Sequence, residues 1–432
     1  MTAQPLAIAI AALRAGRGAE AEAACRRALA QRSGDPSALH LLGLALKAQG
    51  RLGPAIEALE DAVGRAPGYA EALYNLGNTL GQVGRAADAA DRYRQVVALR
   101  PDHEAARVKL GDALREAGEL PAAETAYRAA LDRRPKAPGA WLGLGNVLQE
   151  QNRLDEAVAA YRAALAAEPG NRATEANLAA AELKRGRPAE AIAAIDAILA
   201  VDARDVRAVA YRTVALEMLG QGDEARRLAD PERFVALTEA PVPPGYADRS
   251  SFHQALLAEV RAHRTYTATW DPRRRAARGG WLATELFIDP PPALAALNRA
   301  IRAMIDALVA ALPDDPTHPY LGARPMAYTL DAWCNILLAE GHQAGHIHNQ
   351  GWLSGVYYVA VPAGVGADDP AGWIEFGRPG YGLPEPATMS LRTARPRPGL
   401  TAMFPSYMWH RTIPFAGAGE RVSIAFDLHR NG

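Results

Sequence analysis

Small and bulky apolar residues recur along the first half of the chain at a fixed spacing. The pairs Leu42-Gly43, Leu76-Gly77, Leu110-Gly111 and Leu144-Gly145 follow one another at intervals of 34 residues, and Leu178-Ala179 continues the series. In the same frame an alanine stands at Ala21, Ala55, Ala89, Ala123, Ala157, Ala191 and Ala225. Four residues after the first six of these come Cys25, Leu59, Tyr93, Tyr127, Tyr161 and Ile195, on the same face of a helix. A small side chain one turn from a bulky one lets two antiparallel helices approach closely. Gly16, Gly50, Gly84, Gly118, Gly186 and Gly220 mark the turn inside each pair, Asn152 takes the remaining place, and Pro67, Pro101, Pro135 and Pro169 close four repeats. The pattern predicts about seven helix pairs over residues 1–239.

The period stops at the Pro-rich stretch around Glu239–Gly245, and residues 240–248 read as a linker. Beyond it, Phe252–His263 and Pro292–Leu312 carry helical spacing. After Pro325 the texture changes to β-rich runs broken by Pro and Gly: Met326–Leu338, Leu353–Val361, Trp373–Phe376, Leu400–Phe404 and Arg421–Leu428. Many short strands with turns between them predict a jelly-roll over residues 249–432 with flanking helices, so the chain reads as an α+β multidomain protein.

Charge adds an exclusion. Lys plus Arg and Asp plus Glu both number 48 in 432 residues, and division at residue 239 gives 31 − 32 = −1 and 17 − 16 = +1. No basic region is hidden by an acidic one, which argues against nucleic acid or an acidic membrane as a partner. Cys25 and Cys334 are too few for a disulfide scaffold and suit a reducing cytoplasm. No apolar run reaches the length of a membrane span.

Chemistry concentrates late in the chain. His342, His346 and His348 fall within seven residues, and on extended backbone His346 and His348 point to one side, as two ligands of one metal ion would. His410 follows 62 residues after His348, and the Gly-rich turn Ala416–Gly419 between it and Arg421 predicts these two on neighbouring antiparallel strands. Alternation then turns Arg421, Ser423 and Ala425 to one interior face. An arginine inside an apolar strand is expensive to bury unless an anion meets it, and its planar fork suits a carboxylate.

The 34-residue pattern resembles the tetratricopeptide repeat family, which implies that residues 1–239 bind a peptide or protein in a groove. Polar residues on the first helix of each repeat, such as Asn75, Asn78, Lys109, Asp112 and Asn146, are candidates for its lining. The second half resembles the Fe(II)- and 2-oxoglutarate-dependent oxygenase superfamily, in particular its bacterial branch with repeats in front. The resemblance rests on His346-Ile-His348, Leu353–Val359, Phe404–His410 and Arg421–Phe426. It implies a double-stranded β-helix, Fe(II) held by His346 and His410, and 2-oxoglutarate anchored through its far carboxylate by Arg421 with Ser423. It further implies help from Tyr358, unless Tyr357 faces the pocket instead, and consumption of O2 in the hydroxylation of a substrate C–H bond. Asn335 is a candidate contact to the metal-proximal carboxylate. One departure stands out: the superfamily's usual triad is two histidines and a carboxylate, and here His348 holds the carboxylate's place. His348 can itself be the third ligand; Asp368, Asp369 and Glu375 are other donors, and His342 is a weaker one. The same residues also admit a repeat scaffold with an idle oxygenase-like domain, or a cupin-like metal enzyme that needs no 2-oxoglutarate.

Overall fold

A computed structural model describes residues 3–267, 277–416 and 419–431, so the turn expected at Ala416–Gly419 lies partly outside the described residues. By internal contact the chain divides into two units, Met1–Thr174 and Glu175–Gly432.

The first unit holds the helices α1 (Ala3–Arg14), α2 (Gly18–Gln31), α3 (Pro36–Ala48), α4 (Leu52–Arg65), α5 (Ala70–Gln82), α6 (Ala86–Leu99), α7 (Glu104–Ala117), α8 (Leu120–Arg133), α9 (Pro138–Glu150) and α10 (Leu154–Ala167). Consecutive helices pack as antiparallel pairs in the predicted frame. Local signals set their ends: Asp35 caps α3 by accepting from Ser37 N and Ala38 N, with Pro36 at the first helical position. The Leu-Gly pairs are explained by close approach. A Cβ on Gly111 would lie 2.6 Å from the ring of Tyr127, and one on Gly145 2.5 Å from that of Tyr161. Each buried tyrosine also spends its hydroxyl inside its repeat. Tyr93 donates to Asn78 Oδ1 (2.8 Å), Tyr127 to Asp112 Oδ1 (2.6 Å) and Tyr161 to Asn146 Oδ1 (3.0 Å). Three of the five residues expected to line a groove are therefore acceptors for a core hydroxyl.

The second unit begins within the repeat pattern. It takes in α11 (Arg172–Lys184), α12 (Pro188–Val201), α13 (Val206–Met218), α14 (Gly222–Ala229) and α15 (Pro231–Phe234), then the strand β1 (Ala236–Glu239) and α16 (Arg249–Arg261). There follow β2 (Ala277–Ala283), α17 (Pro292–Ala311), β3 (Tyr328–Gln343), β4 (Leu353–Ala360), β5 (Ile374–Phe376), β6 (Arg392–Ala394), β7 (Leu400–Pro405), β8 (His410–Thr412) and β9 (Arg421–Arg430). The strands form two antiparallel sheets, six-stranded in the order β1-β7-β4-β9-β3-β2 and three-stranded in the order β6-β5-β8, an arrangement compatible with a jelly-roll. One apolar core joins them to the late helices, running from Ala176 on α11 through Tyr211 and Leu297 to Leu428. Trp409 makes part of that join: its ring stacks on Tyr211 at 6.2 Å and its Nε1 donates to Ala210 O on α13. The neighbouring Tyr407 donates its hydroxyl to Leu228 O.

Register across β4, β9 and β3 sets up the interior face. Opposite one another stand Tyr358, Ser423 and Asn335, then Val356, Ala425 and Trp333, then Ser354, Asp427 and Asp331. The opposite face of β4 turns Tyr357 to α16, where its hydroxyl meets His253 Nε2 at 2.6 Å. Tyr358, not Tyr357, therefore faces the interior.

Candidate metal centre

His346 and His348 follow β3 on an extended segment that belongs to no named strand. The only ladder contact there is an isolated bridge in which His346 N donates to His410 O (3.1 Å) and His410 N donates to His346 O (3.2 Å). This bridge brings the three imidazoles together, with ring centroids 4.2 Å apart for His346 and His410, 5.0 Å for His348 and His410 and 5.2 Å for His346 and His348. One ring nitrogen from each lies within 4.8 Å of the others, and theirs is the one such cluster of potential metal donors among the described residues.

Hydrogen bonds fix the tautomers. His346 Nδ1 donates to Ala344 O (2.8 Å), His410 Nδ1 to Met408 O (3.1 Å) and His348 Nδ1 to Asp427 Oδ1 (2.5 Å). With Nδ1 carrying the proton, neutral His346 and His410 rings present Nε2 lone pairs. His346 Nε2 and His348 Nε2 stand 3.3 Å apart. Ligands at right angles on a metal with bonds of ~2.1 Å sit about 3.0 Å apart, so this spacing fits a shared cation. Burial, with His348 alongside, pushes His346 down to about 3. Burial and the two neighbouring rings likewise hold His410 well below the ordinary imidazole range. Both are neutral donors at physiological pH.

The rings line a cavity of ≈ 250 Å³ walled by Trp333, Asn335, Val356, Tyr358, Phe404 and Asp427 among others. Next to it on β9 is Arg421, 1% exposed. Its Nη2 donates to Tyr358 Oη at 3.3 Å and its Cζ lies 5.1 Å from that ring's centroid. Its Nε and Nη1 have no partner, nor has Asn335 Nδ2 in the cavity wall. Burial lowers the Arg421 pKa and raises that of Tyr358, so the pair is a cation beside a neutral phenol. Nothing acidic forms an ion pair with Arg421 among the described residues. Unsatisfied donors around a buried cation fit an anionic ligand with acceptor oxygens.

The remaining sequence candidates divide clearly. Ser423 is buried between Tyr358 and Asn335 in the sheet. Glu375 is held by Arg378 (2.7 Å) and Arg411 (2.6 Å). Asp369 accepts from Ala371 N in its own loop, and His342 pairs in register with Arg278 on β2. None of these joins the imidazole cluster, nor does Asp368. The expectation that His410 and Arg421 lie on adjacent strands is corrected: β8 belongs to the small sheet and β9 to the centre of the large one. Both sheets nevertheless line the cavity, the small one through Ile374 and His410 and the large one through Trp333, Asn335 and Tyr358.

Sequence reading missed Asp427. Burial would raise its pKa, but His348 and the Ser354 hydroxyl (2.7 Å) outweigh that and hold it below the usual carboxylate range. The signal was available, since the alternation through Arg421, Ser423 and Ala425 reaches Asp427 at its next step.

Residues 331–427 match a family model described as "Putative 2OG-Fe(II) oxygenase". Residues 6–70, 40–104, 74–138 and 108–172 match one tetratricopeptide repeat model, and 148–212 match a second. Among solved structures, the chain is similar to a tetratricopeptide repeat protein from Parabacteroides merdae, 17% identical, covering 52% of this chain and 90% of that one with a TM-score of 0.44. It is also similar to MamA from Desulfovibrio magneticus (18%, covering 39% and 95%, TM-score 0.37). A third is YrrB, a "TPR protein with an unusual peptide-binding site" (17%, covering 43% and 95%, TM-score 0.37). The search of curated proteins returned no match. No helix among the described residues is long and apolar enough to cross a membrane.

Proposed function

For a chain that joins tetratricopeptide repeats to a domain of the 2OG-Fe(II) oxygenase family at residues 331–427, we propose the activity of an Fe(II)- and 2-oxoglutarate-dependent dioxygenase that hydroxylates a peptide or protein. Recognition is assigned to residues 1–239 and chemistry to 249–432, joined by 240–248. The observation that carries the reading is the pairing of three imidazoles, one ring nitrogen of each within 4.8 Å of the others, with a buried guanidinium that has two unsatisfied nitrogens.

In this reading His346, His348 and His410 hold the iron. Arg421, with the Tyr358 hydroxyl and Ser423 beside it, takes the far carboxylate of 2-oxoglutarate, and Asn335 Nδ2 donates to the carboxylate near the metal. Trp333, Val356, Ile374 and Phe404 form the apolar wall that keeps water from the reacting centre. Bound iron supplies the oxidising chemistry, with O2 and 2-oxoglutarate consumed and succinate and carbon dioxide released. An idle scaffold or a metal enzyme without 2-oxoglutarate would leave Arg421 as a standing cost to the fold, which favours the dioxygenase reading over both.

Anaerobic titration of the protein with Fe(II) and then 2-oxoglutarate tests the proposal. A visible charge-transfer band from the chelate is expected, and iron-loaded protein without that band would refute it.

A further inference from the structure

Resting on the metal reading above, we propose that Asp427 is a positioning residue of the centre, supplying through His348 the negative charge that the ligand set lacks. Its Oδ1 accepts from His348 Nδ1 at 2.5 Å and from Ser354 Oγ at 2.7 Å. Ser354 Oγ shares a second hydrogen bond with Ser406 Oγ at 2.8 Å, and Ser406 O accepts from His348 N at 3.0 Å. Ring and backbone of His348 are thus fastened to one small cluster whose two serines are fully buried.

The other two rings are held differently. His346 and His410 lean on backbone carbonyls, Ala344 O and Met408 O, which are neutral. Only His348 leans on a carboxylate, and His348 is the residue that stands where a two-His, one-carboxylate triad would place its anion. An imidazole there leaves the bound ion one unit more positive, and Asp427 returns that unit at the distance of one ring. No Lys or Arg pairs with Asp427 among the described residues. A largely buried carboxylate is expensive without a counter-charge, and a metal held by His348 would supply one across the imidazole. A carboxylate–imidazole–metal chain fixes ring orientation and makes the coordinating nitrogen a stronger donor.

The test is a double-variant cycle in metal affinity, measured anaerobically with Co(II) against a competing chelator. Asp427→Asn is expected to weaken Co(II) binding about 10- to 100-fold in the wild-type background. In the His348→Ala background the same change is expected to alter it less than threefold. An equal loss in both backgrounds would make Asp427 a purely structural residue and overturn the proposal, as would an Asp427→Asn protein that binds Co(II) within threefold of wild type. A second readout needs no variant. Proton NMR of the Co(II)-loaded protein should show three shifted exchangeable ring N–H signals, with the one from His348 protected longest from solvent exchange; two signals would overturn the proposal. Should wild type bind no metal at all, the dioxygenase reading itself fails, and the two failures are distinct.

Discussion

Replacing Arg421 by Met should stabilise the protein when no ligand is bound and disable it for 2-oxoglutarate. The guanidinium is 1% exposed, its single hydrogen bond goes to Tyr358 at 3.3 Å, and two of its nitrogens have no partner. An uncompensated buried charge costs about 3–5 kcal/mol. Met removes that charge while keeping much of the side-chain volume. Against the gain stands the Tyr358 hydroxyl, which loses its neighbour at about 1–2 kcal/mol. The net stabilisation is about 2 kcal/mol, and for a cooperative unit of this size that raises Tm by roughly 4–8 °C. Ligand binding moves the other way. Losing the buried charge pair with the carboxylate costs about 2–5 kcal/mol, or roughly 30-fold and upward in Kd. Calorimetric melts of both proteins with and without Fe(II) and 2-oxoglutarate read the two effects together. Arg421→Met should melt higher alone and show little further rise with 2-oxoglutarate. A lower Tm for the ligand-free variant would refute the reasoning, because it would mean that the fold already compensates the charge.

Other consequences are open to measurement. Trp409→Ala removes a nearly buried ring from its stack on Tyr211 and should cost about 3–5 kcal/mol in denaturant unfolding, with soluble expression of residues 249–432 alone failing where 175–432 succeeds. Gly111→Ala drives a Cβ to 2.6 Å from Tyr127 and should cost about 1–3 kcal/mol, whereas Gly53→Ala, with nothing within 4 Å, should be neutral or mildly stabilising by thermal melt. Burial, aided by Arg249, lowers His253 to about 4. The unfolded imidazole titrates near 6.5, so the unfolded state binds the extra proton between those values and stability falls as pH drops from about 6.5 to about 4, by at most about 3 kcal/mol from this group. His253→Gln should flatten that part of the pH–stability curve, and an unchanged slope would show the burden lies on other histidines.

The repeats were legible because one physical constraint, a small residue against a bulky one, recurs six times in a fixed frame. Their polar positions were not. Asn78, Asp112 and Asn146 look like groove residues until the fold shows a tyrosine hydroxyl from the paired helix resting on each. In the second half β3, β4, β5, β7 and β9 were readable from β-rich runs, while β1, β2, β6 and β8 were not. A three-residue strand such as β8 has too few positions to show alternation, and its pairing depends on partners far away in sequence. Spacing singled out His346 and His348, His410 came in as a ligand through the family resemblance, and the bridge between His346 and His410 joins residues 64 apart. Tyr358 could be separated from Tyr357 only when α16 was seen to claim the latter.

The core that holds Trp409 against Tyr211 divides the repeat array into two kinds of helix pair. Solenoid units contact mainly their neighbours and can be duplicated or lost singly. That freedom holds for the helix pairs of the first unit. It does not extend to α11–α13, whose apolar residues share a core with the strands around the histidines. Repeats can be added or removed without disturbing that core only upstream of residue 175. Downstream of it, α11–α13 are repeats by pattern and part of the strand domain's core by packing.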